Sequence, residues 1–199
     1  MWKLLGTTLL CYFIWVFWWI PTPEAYTPVT TAGFIAPTVQ DSIQQYLQVC
    51  APLAIREMHH TGIPASIKLG QALLESRFGS SPLAQQANNH FGIKAEPKWD
   101  NQPRHCLYSY EWSPRRGRMI PVLSCFRHYK NIADCYMGHS EFLMQRPHYA
   151  PLFQLASNDI EGWAKGLQEA GYATDPTYAE KLLQVIQKYQ LERFDQPEH

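Results

Sequence analysis

The stretch IPASIKLGQALLESRFGSS, residues 63–81, decides how the rest of the chain is read. Pro64 stands at a helix-start position, where its fixed φ and missing N–H do no harm. Ile67, Leu69, Leu73, Leu74 and Phe78 supply an apolar stripe, and the cluster Gly79-Ser80-Ser81-Pro82 closes it. The stretch therefore predicts a helix with one acidic residue, Glu75, near its end, between Leu73-Leu74 and Phe78-Gly79. A carboxyl held on a rigid element among apolar neighbours is pushed towards its neutral form. A general acid needs that near neutral pH. The competing reading is a solvated helical glutamate, the usual state of Glu.

Upstream, Ile43, Tyr46, Leu47, Cys50, Ala54, Ile55 and Met58 recur at three- and four-residue spacing from about Thr38 to a stop at Gly62, with Pro52 as an expected bend. Downstream, residues 83–87 predict a short helical turn, and residues 88–94 a loop followed by a short strand. Between Arg104 and Tyr129 the Val, Ile, Tyr, Phe and Cys content, split by residues 113–118, predicts a β-hairpin. Helical patterning returns over residues 132–144, 159–170 and 176–191. The last segment carries Tyr178, Leu182, Val185, Ile186 and Tyr189 on one face. The fold class is mainly α with a small β-hairpin lobe.

At the N-terminus, Lys3 precedes an uncharged apolar run over residues 4–20, followed by Pro21-Thr22-Pro23. This is the pattern of a signal peptide or a signal anchor. No clean small-x-small cleavage site follows, which favours anchoring in the inner membrane through residues 4–20. Pro21, Pro23, Pro28 and Pro37 make residues 21–37 a tether, leaving residues 38–195 as one domain. Lys plus Arg and Asp plus Glu both number 17, so no net field draws nucleic acid. Adjacent His59 and His60 diverge on a helix and no ligand spacing such as H-E-x-x-H occurs, so neither a metal site nor a cofactor is expected. Cys50, Cys106, Cys125 and Cys135 contain no C-x-x-C element, and Cys50 falls on an apolar helical face. If Pro114 to Gly117 forms the hairpin turn, Cys106 and Cys125 become directly facing partners. That predicts a disulfide between them in an exported chain.

Residues 63–81, followed by NNHFGIK (88–94), CFRHY (125–129), WAKGL (163–167) and GYATDPTYA (171–179), resemble glycoside hydrolase family 73, the flagellar-type and autolysin-type N-acetylglucosaminidases. The ordered series is specific where any one motif would be weak. The resemblance runs from about Tyr46 to Asp195. It implies a lysozyme-like helical fold and cleavage of the β-1,4 bond after N-acetylglucosamine in peptidoglycan glycan strands at the cell envelope. Glu75 is implied as the acid.

The family's second acidic residue lies in the β-lobe, where Glu111 is the match, with Asp100 and Glu96 as rivals. Tyr172 resembles the family's tyrosine beside the acid, placed to bond the substrate's acetamido group or a water. Tyr178 is either at the site or in the core, and Asn88 and Asn89 are expected to line the cleft. The alternatives are a muramidase or lytic transglycosylase on the same fold, and a wall-binding scaffold without turnover.

Overall fold

The computed structural model describes residues 39–99, 102–113 and 116–196. The apolar run, the tether and Asp100 lie outside the described residues. Among those that are described, no helix is long and apolar enough to cross a membrane.

The helices α1 (Val39–Thr61), α2 (Ala65–Ser76) and α3 (Pro82–Ala87) come first, then the strands β1 (Arg104–Ser113) and β2 (Arg118–Arg127). The helices α4 (Ile132–Met144), α5 (Ile160–Glu169) and α6 (Tyr178–Lys188) follow. Three 3-10 turns fill in at Pro97–Trp99, Pro147–Gln154 and Leu191–Phe194. The result is a helical domain with one small β-lobe, as expected. Pro52 lies inside α1 without ending it.

The helix read from residues 63–81 becomes the centre of the molecule. Every residue of α2 from Ala65 to Leu73 is buried, because α1, α5, α6 and the Leu191–Phe194 turn enclose it. Burial all round is what an amphipathic stripe cannot provide, and it demands that the polar residues of α2 find partners. The closest approach is at Gly70, where an added Cβ would lie 2.7 Å from Leu182 Cδ1 and 3.0 Å from Ile186 Cγ1 of α6.

In the β-lobe, β1 and β2 pair antiparallel with Cys106 opposite Cys125, and the two are joined by a disulfide across a separation of 19 residues. The strand expected within residues 88–94 reduces to a single bridge between Lys94 and Phe126. Two further hydrogen bonds support it, from Ala95 N–H to the Cys125 carbonyl and from Arg127 N–H to the Ile93 carbonyl. Pairing stops there because Pro97, which has no N–H, opens a 3-10 turn. Asn89 anchors this segment from inside: its Nδ2 donates to the Ile93 and Arg127 carbonyls, while its Oδ1 accepts from Ile93 N–H.

Candidate active site

Glu75 sits in the last turn of α2, and the chain leaves that helix through an unusual exit. Arg77, Phe78 and Gly79 have φ of 51°, 59° and 79°, so two non-glycine residues in succession occupy the left-handed region, at a cost of the order of 1–3 kcal/mol each. Ser76 compensates by donating its hydroxyl to the Ala72 carbonyl and accepting the Gly79 N–H at 2.7 Å. Phe78 N–H returns to the Leu73 carbonyl. Gly79 is required twice, by its φ and by Tyr46, whose ring would lie 2.7 Å from an added Cβ. The exit therefore locks the turn that carries Glu75.

Opposite stands Tyr178, the first residue of α6 and buried. Its position is set just upstream, where Asp175 accepts the Thr177 N–H and side-chain hydroxyl and pairs with Lys181 at 2.7 Å. Gln71, one turn before Glu75, donates Nε2 to the Tyr178 hydroxyl at 3.0 Å. The same hydroxyl acts on the Glu75 carboxyl, favouring its charged form. Glu75 keeps part of its surface exposed, yet its surroundings are dense. Burial lifts its pKa well above the usual carboxylate value, and the Tyr178 hydroxyl only partly offsets this. The arrangement can present a protonated carboxyl to a bound molecule and can stabilise the carboxylate left after proton transfer.

Behind Tyr178 lies an aromatic wall. Tyr172 stacks on it with ring centroids 5.6 Å apart, and Phe142 and Tyr149 pack against Tyr172 in turn. Tyr172 is itself buried, with its hydroxyl 3.2 Å from His139 Nε2. Of the two expected tyrosines, the one that reaches Glu75 is thus Tyr178, although sequence patterning also suited it to the core.

Asn88 and Asn89, expected to line the cleft, are both engaged with loop backbone. Asn89 is buried and committed to the loop backbone, and Asn88 caps α3 in a left-handed conformation with its Nδ2 on the Tyr129 and Lys130 carbonyls. Short amide side chains that can substitute for backbone partners are used here to hold a segment with little regular pairing.

Among the second-carboxylate candidates, Glu96 is engaged in a 2.5 Å ion pair with Arg146. Glu111 stands opposite Ile120 in the hairpin register, at the same strand parity as His105, whose partner Phe126 is buried. The Glu111 side chain lies outside the described residues. Sequence reasoning missed Lys68, His139, Ser140 and Glu57, all buried and mutually linked. The available signal was a lysine in the middle of a largely apolar helix, where Lys is hardly ever found without partners.

A mainly helical domain with a β-lobe, holding a carboxyl of raised pKa at the end of its central helix, has the make-up of a lysozyme-like glycoside hydrolase. The chain belongs to the glucosaminidase family, described as mannosyl-glycoprotein endo-beta-N-acetylglucosaminidase, which residues 51–191 match. It is 33% identical over 157 residues to the peptidoglycan hydrolase FlgJ of Vibrio parahaemolyticus, covering 76% of this chain and 49% of that protein. It is 31% identical to the exo-glucosaminidase LytG of Bacillus subtilis, covering 78% and 52%. The chain thus spans about half the length of these relatives. Among solved structures, a truncated glycoside hydrolase domain of Salmonella typhimurium FlgJ superposes with a TM-score of 0.59 at 30% identity, covering 74% of this chain and 97% of that one. The catalytic domain of the Listeria monocytogenes autolysin Auto shares the fold, with a TM-score of 0.70 at 24% identity over 85% of this chain and all of that one.

Proposed function

We propose that the domain is a peptidoglycan hydrolase of the cell envelope that cleaves the β-1,4 bond after N-acetylglucosamine in glycan strands, with Glu75 as general acid. The observation that carries this reading is the state of Glu75: partly open to solvent at the end of a buried helix, raised in pKa by burial, and under the influence of the Tyr178 hydroxyl. The names of the FlgJ and LytG relatives support the substrate class. Export, with anchoring through residues 4–20, belongs to the same proposal and is supported by the apolar run behind Lys3.

In the proposed reaction the Glu75 proton passes to the leaving glycosidic oxygen as the C1–O bond breaks, and positive charge spreads over C1 and the ring oxygen. The Tyr178 hydroxyl then steadies the new Glu75 carboxylate. Glu111 is the proposed base or stabiliser. In an inverting course it takes the proton of the water that adds to C1, at a carboxylate separation of about 6.5–9.5 Å. At about 5–5.5 Å it would instead hold C1, and Glu75 would take the water's proton in a second step.

The bond is identified by digesting purified peptidoglycan, reducing the new ends with borohydride and analysing the fragments by mass spectrometry. Reduced N-acetylglucosamine ends are expected. Reduced or 1,6-anhydro muramic acid ends would make the domain a muramidase or lytic transglycosylase, and no new ends would make it a binding module.

A further inference from the structure

The least explicable residue of α2 is Lys68. It is fully buried at the centre of the domain, where an ammonium loses its hydration and an apolar side chain of the same length would pack without that loss. Burial pulls its pKa down to about 7, against the opposing attraction of Glu57. Its surroundings nevertheless supply one acceptor for each of its three protons: the Tyr136 carbonyl at 3.0 Å, Ser140 Oγ at 2.7 Å and His139 Nδ1 at 3.2 Å. Ser140 passes the charge on, donating to Glu57 Oε2 at 2.7 Å.

The contact with His139 has a directional consequence. While Lys68 is charged it is only a donor, so Nδ1 of His139 must then accept and carry no proton. Burial and the Lys68 charge both hold the His139 imidazole in its neutral form, far below its usual pKa. A neutral ring has one proton, and it must then sit on Nε2, the nitrogen 3.2 Å from the Tyr172 hydroxyl. Tyr172 oxygen therefore accepts from His139, and the Tyr172 proton must go to a different acceptor. The His139 ring cannot easily turn to escape this pattern, because it is stacked on Phe91 at 3.9 Å with 15° between planes. Tyr172 in turn stacks on Tyr178, the partner of Glu75.

We propose that Lys68 is a positioning residue for the site: by donating to His139 Nδ1 it fixes the Nε2–H tautomer, and so sets the orientation of the Tyr172 hydroxyl behind Tyr178 and Glu75. The proposal rests on the catalytic reading of Glu75, but its first link can be read without turnover.

The test compares wild type with Lys68→Met combined with Glu57→Gln, which avoids leaving a buried carboxylate without its cation. Long-range proton–nitrogen spectra of histidine-labelled protein, with His139→Phe to assign the signal, report the tautomer. Well below pH 7, where Lys68 is charged, the wild-type ring is expected as the Nε2–H form alone, and the double variant as a mixture. Steady-state kinetics on a soluble glycan fragment should show kcat down about tenfold with KM within about twofold, the pattern of lost transition-state positioning. If the double variant does not fold, His139→Phe keeps the ring against Phe91 and is expected to lower kcat by a similar factor.

Two results would overturn the proposal. One is a wild-type His139 protonated on Nδ1. The other is a kcat within about twofold of wild type in a folded variant that has lost the tautomer or the ring nitrogens. Turnover by Glu75→Gln would refute the catalytic reading instead, and would leave the tautomer signal unaltered.

Discussion

Gly70→Ala tests how tightly α2 and α6 fix the site between them. The added methyl would lie 2.7 Å from Leu182 Cδ1 and 3.0 Å from Ile186 Cγ1, whereas carbon contacts settle near 3.5–4.0 Å, so a local separation of about 1 Å is required. Leu182 and Ile186 are both buried, at 0% and 1% exposure, which leaves neither an open place to swing into. Overpacking of this kind costs roughly 1–3 kcal/mol, while exchanging a helical glycine for alanine returns about 1 kcal/mol of helix propensity. The net loss is about 1 kcal/mol, equivalent to a fall in Tm of roughly 2–4 °C for a domain of this size. Activity should suffer more. Moving α6 carries Tyr178 off Gln71 and Glu75, and a misplacement near 1 Å can cost up to about a hundredfold in rate. Thermal unfolding beside peptidoglycan digestion measures both quantities. A variant of unchanged or higher Tm with full activity would refute the reasoning, because it would show that the helix contact does not set the site.

Tyr178→Phe removes the hydroxyl that partly offsets the rise in the Glu75 pKa. Since a general acid works protonated, the limb of kcat/KM that falls with rising pH should move to higher pH while kcat drops about tenfold; an unmoved limb counts against the contact. Glu111→Gln should be impaired, but less than Glu75→Gln, and an equal or greater loss in the digestion assay would reverse the ranking of the two carboxylates. Cys106→Ser with Cys125→Ser opens a link across 19 residues, so chain entropy predicts a loss of about 3 kcal/mol in urea unfolding; a loss below about 1 kcal/mol would mean the lobe is held by its pairing alone.

The sequence is most legible where local chemistry and tertiary structure agree. α4 spans Ile132–Met144 as its periodicity predicts, because Asn131 supplies a real cap by accepting the Asp134 N–H. The hairpin register follows from its turn, which is why Cys106 meets Cys125. The 3-10 segment Pro147–Gln154 carries two prolines and no helical period, so nothing local announces it.

At the site, Glu75 is legible because apolar neighbours in sequence are also neighbours in space. Tyr178 and Tyr172 are not separable that way, since both are aromatic residues on a buried face and only the packing of α6 on α2 decides whose hydroxyl meets Glu75. Asn88 and Asn89 are hard to read for a related reason: amides that bridge loop backbone have the same composition as amides that bridge a sugar. Lys68 announces in sequence only that it needs partners, and three-dimensional packing decides that these are His139, Ser140 and Tyr136.

The most direct measurement of the central claim is turnover by Glu75→Gln on purified peptidoglycan, read beside its thermal stability. The folded-state pKa of Glu75 is raised above the unfolded value, so its contribution to stability is complete below the unfolded pKa and is lost as pH rises through the folded pKa. An amide cannot ionise, so the variant should unfold at the wild-type temperature or above it near neutral pH. It should also lose hydrolysis by at least about two to four powers of ten, because it has no proton to give to the leaving oxygen. A folded Glu75→Gln protein that keeps half the wild-type rate, or anything near it, would contradict the account.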